Sequence, residues 1–320
     1  MPALRLLTRL CCLAALATAL QAQAAPEIYR GLCDASAAVA LDAGHFVVAN
    51  DENNTLAIYQ RGQPEAVATL SLADFLDSGD KESDIEGAAL VGRRIYWISS
   101  HGRNKNAKER PERYRFFATD IDASKSPPSL KPVPKRYEKL LDDLVEADAL
   151  KPFKLKDAAK LAPEAPGGLN IEGLAALPDG SLLIGFRNPI PNGKALLLPL
   201  KNPDELLEGK TAKFGAPVLL ALRNRGVRSI ERVANQFLIV AGPTADKGTF
   251  SLYHWSGKAS EAPKLAQGLD LADLRPEALF DIGGSQVQLL SDDGGIEAGG
   301  VACKDRKPAE QAFRSISVKP

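Results

Sequence analysis

Four glutamates, Glu86, Glu172, Glu231 and Glu277, each stand third in a recurring six-residue phrase. Asp84-Ile85-Glu86-Gly87-Ala88-Ala89 returns as Asn170-Ile171-Glu172-Gly173-Leu174-Ala175, then more loosely as Ser229-Ile230-Glu231-Arg232-Val233-Ala234 and Arg275-Pro276-Glu277-Ala278-Leu279-Phe280. A fifth phrase, Asp34-Ala35-Ser36-Ala37-Ala38-Val39, has Ser36 in place of the glutamate. If the fold brings these positions together, several ionised carboxylates share one small space. They must then take up protons, hold a cation or pair with arginines. Three readings stay open: a hard cation, calcium above all, bound by Glu86, Glu172, Glu231 and Glu277; an anion or phosphate site built from nearby arginines; and an internal Glu and Arg network that only fixes register.

A second group of polar residues follows the strands that come after each phrase. Asn50-Asp51-Glu52-Asn53-Asn54, Ser99-Ser100-His101-Gly102-Arg103-Asn104, Arg187-Asn188 and Ser291-Asp292-Asp293-Gly294 fall at matching places. Taken singly each is turn chemistry. Together they place Asp51, His101, Arg187 and Asp292 at one level. Of the three histidines only His101 has such a setting, so it and Glu86 are the candidate proton-transfer groups. Arg103, Arg187, Asn104 and Asn188 are the candidates for holding an anionic substrate. Nucleophile-elbow, zincin, phosphate-loop and dinucleotide-loop motifs are all absent from the sequence.

Each phrase is followed by a turn residue and an apolar strand: His45 to Ala49, Arg94 to Ile98, Ser181 to Gly185, Gln236 to Val240 and Gln286 to Leu290. This is hairpin chemistry repeated about every 40 to 60 residues, the signature of a β-propeller whose blades cannot bury their faces alone. Third strands are expected over Thr55 to Tyr59, Tyr114 to Ile121, Lys194 to Leu200 and Thr249 to Trp255. Weaker fourth strands are expected over Ala66 to Leu72 and Pro217 to Leu222. The fold class is therefore all-β, with five blades counted; a sixth would have to lie around residues 122–168. That stretch instead shows Tyr137, Leu140, Leu141, Leu144 and Val145 at helical spacing. It predicts a helical insertion over about 124–168, either a lid over one channel mouth or a helix covering blade edges.

Forty basic and forty acidic residues cancel, which argues against nucleic acid or anionic lipid as partner. The partner expected is a small anionic molecule or a protein at the loop face, and we expect a monomer. Arg5 and Arg9 precede the apolar run Leu10 to Leu20, and Ala22-Gln23-Ala24 is a small-x-small site. Residues 1–24 thus read as a secretory signal cleaved near Ala24, the remainder (25–320) forming one propeller domain in the periplasm or outside the cell. No later run approaches membrane-spanning length. Cleavage leaves Cys33 and Cys303, one near each end. In an oxidising compartment they read as a disulfide clasping the closure of the ring, which the segment Glu27 to Leu32 would complete. Such a clasp contributes roughly 4 to 5 kcal/mol in the chain-entropy picture; the alternative is two buried thiols.

The phrases Asp84-Ile85-Glu86-Gly87, Ser100-His101-Gly102-Arg103-Asn104, Ile171-Glu172-Gly173-Leu174-Ala175, Gly185-Phe186-Arg187-Asn188-Pro189 and Val240-Ala241-Gly242-Pro243 resemble those of an uncharacterised bacterial family, a domain of unknown function. The likeness covers most of residues 27–318 and implies no established activity. More distantly, the Glu-Gly phrase is similar to that of esterase-like phytases and gluconolactonase-type propellers. In the latter a glutamate opening an inner strand binds a divalent cation, which would carry onto Glu86 or Glu172. Those lactonases use a single glutamate with Asn and Asp from other blades, whereas this chain repeats the glutamate, and fold does not fix function. The reading that follows is a divalent-metal-assisted hydrolase of phosphate or carboxylic esters, with calcium as the cofactor. The alternative is a non-catalytic binding or interaction propeller with a structural Glu and Arg network.

Overall fold

The computed structural model describes residues 25–320 apart from Asp246 and Ala272, so the expected signal segment lies outside the described residues. Five four-stranded antiparallel sheets form the blades. Blade 1 is Ala35–Ala40, His45–Asn50, Thr55–Gln60 and Ala66–Ser71, and blade 2 is Ile85–Val91, Arg94–Ser99, Phe116–Asp122 and Ser129–Pro132. Blade 3 is Asn170–Ala176, Leu182–Asn188, Ala195–Leu200 and Val218–Leu220, and blade 4 is Gly226–Val233, Gln236–Gly242, Ser251–Trp255 and Lys264–Leu265. Blade 5 joins Pro276–Gly283, Gln286–Ser291 and Ala312–Val318 with Glu27–Arg30 from the other end of the chain. The first strand of every blade packs on those of both neighbours, which closes the ring.

The second strands are continuously apolar because both their faces are covered. In His45–Asn50 every residue after the first is buried, and in Leu182–Asn188 all are. Their side chains feed apolar clusters that lie between successive blades, among them Val47, Leu56, Trp97 and Phe117 between blades 1 and 2. Ala175, Leu197, Ile239 and Trp255 do the same between blades 3 and 4. Each buried Leu, Ile or Phe contributes about 1.5 to 3 kcal/mol relative to exposure. No blade could recover that alone.

Closure is chemical as well as topological. Tyr29, from the N-terminal strand, is buried against Phe46, Tyr59 and Phe313, which belong to blades 1 and 5. Directly after it, Cys33 forms the disulfide with Cys303 across 270 residues of chain.

Among the described residues no sixth blade forms. The expected insertion begins later than its sequence suggests, because Ser129–Pro132 is the fourth strand of blade 2. Beyond it come a helix, Leu140–Glu146, a 3-10 segment, Asp148–Phe153, and a short helix, Leu155–Ala158. Tyr137, Leu140, Leu144, Leu150 and Leu155 are buried in the cluster shared by blades 2 and 3. The apolar stripe therefore covers blade flanks. Among the described residues no helix is long and apolar enough to cross a membrane.

Candidate functional site

Every inner strand carries a β-bulge at its start, and the bulge fixes which residues are equivalent. Pairing skips one residue in each blade: Ser36 between Ala35 and Ala37, Glu86 between Ile85 and Gly87, Glu172 between Ile171 and Gly173, Arg228 between Val227 and Ser229, and Glu277 between Pro276 and Ala278. An extra residue of this kind leaves the ladder and is re-aimed. The fourth position of the ring is thus Arg228, and the phrase around Glu231 is three residues out of register. Hydrogen-bond pairing, which sets the register, is not written in local composition. Glu231 pairs opposite Leu238 and lies toward the far end of its strand, beside a cavity of about 280 Å³ lined also by Val39, Leu90, Phe280 and Asp281. Burial and the neighbouring Asp281 push its carboxyl up to about 8.

Two further levels accompany the bulges. The residues preceding the pre-bulge positions are Asp34, Asp84, Asn170, Gly226 and Arg275. Those following the paired ends of the second strands are Asp51, Ser100, Arg187, Gly242 and Asp292. Blades 1 and 2 contribute carboxylates as their only charges at these levels; blade 3 balances Glu172 with Arg187; blade 4 brings only Arg228. Blade 5 supplies Arg275 with Glu277 and Asp292. The mouth is acidic over blades 1, 2 and 5.

The arginines settle which carboxylates are compensated. Arg187 Nη1 donates to Glu172 Oε1 at 2.8 Å, Asn170 Nδ2 donates to the same oxygen at 3.0 Å, and Arg228 Nε lies 2.9 Å from Glu172 Oε2. Arg228 also pairs with Glu277. Its stem needs the absence of a side chain at Gly242, where a Cβ would stand 2.6 Å from Arg228 Cγ. Among the described residues Glu86 has no such arginine: it is 7% exposed and its Oε2 is buried without a partner.

Beside Glu86 the site gathers oxygen ligands. One carboxylate oxygen each from Asp51, Asp84 and Glu86 lie within 4.8 Å of one another. Asp51 Oδ1 is also buried without a partner, as is the Ser36 hydroxyl in the equivalent bulge of blade 1. Asp84 alone is paired, 2.7 Å from Arg113 Nη1. Burial raises the Glu86 carboxyl, and Glu172, Asp84 and Asp51 raise it further; Asp51 is pushed up by burial, then by Asp34, Asp292 and Asp84. Next to them the Asp34 carboxyl is raised to about 8, chiefly by burial and then by the neighbouring Asp292. All-oxygen donors, an excess of negative charge and orphaned buried lone pairs fit a hard divalent cation such as Ca²⁺. Asp84, at φ 55°, and His101, at φ 56°, hold left-handed backbone at this mouth, a strain often found at functional sites.

Of the four glutamates expected to bind a metal, Glu86 joins this group. Glu172 and Glu277 are engaged by arginines, and Glu231 lies elsewhere. His101 is not among the gathered ligands. It is 1% exposed, its Nδ1 lies 2.7 Å from Ser99 O, its ring stacks on Tyr114, and burial lowers it to about 4. The carbonyl contact assigns the proton to Nδ1 and leaves a neutral ring. Arg103 donates to the carbonyl oxygens of Ala159 and Ala107. The Asn104 side chain accepts from Asn106 and Lys108 within its own loop. Asn188 Nδ2 donates to Pro163 O and Ala165 O. Three of the four residues expected to hold substrate thus reach backbone of the insertion or of their own loop, and Arg187 remains in the axial network. Sequence reasoning missed Asp84 as a candidate ligand although it opens the clearest phrase; it named Arg228 among the arginines that could pair with the glutamates but not as a member of the ring itself, for which the signal was the small residue Gly242 at the matching exit.

The chain belongs to the family described as "Protein of unknown function (DUF3616)", whose model matches residues 34–116 and 123–283. No curated protein matches the sequence. Among solved structures, it is similar to the glutaminyl cyclase of Myxococcus xanthus, at 13% identity over 91% of this chain and 94% of that one, TM-score 0.46. It is also similar to the PQQ-bound aldose sugar dehydrogenase of Streptomyces coelicolor, at 13% identity over 92% and 99%, TM-score 0.47.

Proposed function

We propose that this propeller is a secreted or periplasmic divalent-cation protein whose axial mouth hydrolyses phosphate or carboxylic esters. The observation that supports it is the Asp51, Asp84 and Glu86 triad, with buried oxygens on Asp51 and Glu86 that no arginine or amide satisfies. Asp51, Asp84 and Glu86 would hold the ion, with the Ser36 hydroxyl at the same level. A cation here would polarise a substrate oxygen and stabilise developing charge. Arg187 and Arg228 keep Glu172 and Glu277 out of competition for it. The Asp34 and Asp292 pair holds a proton beside the site, a better placed donor than the neutral, buried His101. The Cys33–Cys303 disulfide supports an oxidising compartment, reached by loss of the segment ending near Ala24.

A second reading, a non-catalytic ligand-binding or interaction propeller, is favoured by the completeness of the Arg187, Glu172, Arg228 and Glu277 chain, which reads as architecture. Elemental analysis of the mature protein, with melting recorded before and after chelation, separates the two. About one calcium per chain, with melting lowered by chelation and restored by calcium, supports the first and directs screening to phosphoesters and lactones. No metal and no response rejects it in favour of the second.

A further inference from the structure

Among the described residues Arg187 meets two carboxylates of different character. Its side chain is 8% exposed, and Nη1 grips Glu172, itself 1% exposed, at 2.8 Å. The other arm, Nη2, lies 3.3 Å from Glu164 Oε1, whose side chain is 38% exposed. Buried ion pairs are costly to break, whereas a solvated carboxylate at longer range exchanges readily with water and with other anions. Glu164 comes from the tip of the insertion, between Pro163 and Pro166, remote in the chain from the strand bearing Arg187. Asn188 fastens the tip by its Pro163 and Ala165 carbonyls, and Arg103 fastens the chain before it at Ala159.

We propose that Glu164 is a resident carboxylate occupying an oxyanion seat on Arg187, and that the phosphate or carboxylate group of a ligand takes its place. A guanidinium fork with one arm committed to Glu172 presents its other arm in a fixed direction, which suits an oxyanion. The Asn188 and Arg103 contacts go to backbone carbonyls, so the tip stays attached when the Glu164 side chain swings away. The tethered carboxylate competes at a local concentration of the order of millimolar, which would exclude weakly bound anions and admit a ligand with a second anchor. This deepens the hydrolase reading and rests on it for that second anchor, the cation held by Asp51, Asp84 and Glu86.

The test is calorimetric titration of the mature protein with inorganic phosphate and, separately, with acetate, with and without calcium, in wild type, Glu164→Gln and Glu109→Gln. Glu109 is a comparable exposed carboxylate near Arg103 and serves as the charge control. Glu164→Gln is expected to bind at least one of the two anions roughly fivefold more tightly than wild type, while Glu109→Gln leaves affinity unchanged. The anion that gains more identifies the ligand's charged group. Equal affinities in wild type and Glu164→Gln for both anions, or the same gain in Glu109→Gln, would overturn the proposal. Tightening without any calcium binding would keep the seat and reject the metal hydrolase; calcium binding without tightening would do the reverse.

Discussion

Arg228 stands in blade 4 where Glu172 stands in blade 3, and its Nε lies 2.9 Å from that glutamate's Oε2. A ring that would otherwise concentrate carboxylates therefore contains its own counter-cation. Because Arg228 also pairs with Glu277, the compensation is one-sided. The uncompensated charge falls on Glu86 and on Asp51 of blade 1, whereas Asp84 of blade 2 keeps Arg113 as its partner.

Replacing Arg228 by methionine should destabilise the protein by about 3 to 5 kcal/mol, since Glu172 and Glu277 would remain buried and lose a partner. Guanidinium denaturation of the two proteins measures it. A loss below about 1 kcal/mol would mean that the network is loosely solvated.

Glu86→Gln should behave in the opposite sense without metal. It removes a buried carboxyl that burial and three acidic neighbours disfavour, so metal-free stability at neutral pH should hold or rise. The stabilisation by calcium should vanish; for wild type at a calcium concentration one hundred times its Kd this is about 2.7 kcal/mol. Thermal melts of both proteins with and without calcium decide the matter.

At the opposite end of the channel, Glu231 sets a pH dependence. Its carboxyl is raised to about 8 in the folded protein, against about 4.3 when unfolded. Stability from this group is fully present below about pH 4.3, declines as pH rises, and is gone once pH passes about 8. Glu231→Gln should flatten that part of the stability profile, as read from denaturation midpoints between pH 5 and pH 9. An unchanged slope would show that Glu231 is well solvated.

Reduction of the Cys33–Cys303 bridge, or Cys303→Ser, should lower stability by about 2 to 5 kcal/mol. The N-terminal strand should then be the first segment to exchange its amide protons, because it is an edge strand whose strand partner is Ala312–Val318, with one further backbone bond from Arg30 N to Pro64 O. Hydrogen exchange on the reduced protein checks the order of opening.

The sequence alone determined the propeller, because turn residues and apolar strands recur at a spacing that only stacked blades can bury. It also determined the cysteine pair and the apolar helical stripe at Tyr137, Leu140 and Leu144, since these depend on local pattern and on counting. It pointed to Glu86 and to the level of Asp51, Arg187 and Asp292, but put His101 at that level, where the register places Ser100. Tertiary structure alone decided the register of blade 4. Ser229-Ile230-Glu231 looks like the other phrases, yet the bulge falls at Arg228, because cross-strand hydrogen bonding to Gln236–Gly242 sets which residue turns to the axis. It likewise decided that Arg103 and Asn188 hold the insertion, since their partners lie far along the chain. Charge compensation is a property of distances, and the same Glu and Arg residues can form a closed network or leave one carboxylate unmatched. Here Glu86 is the one left unmatched, and that followed only from the meeting of five blades.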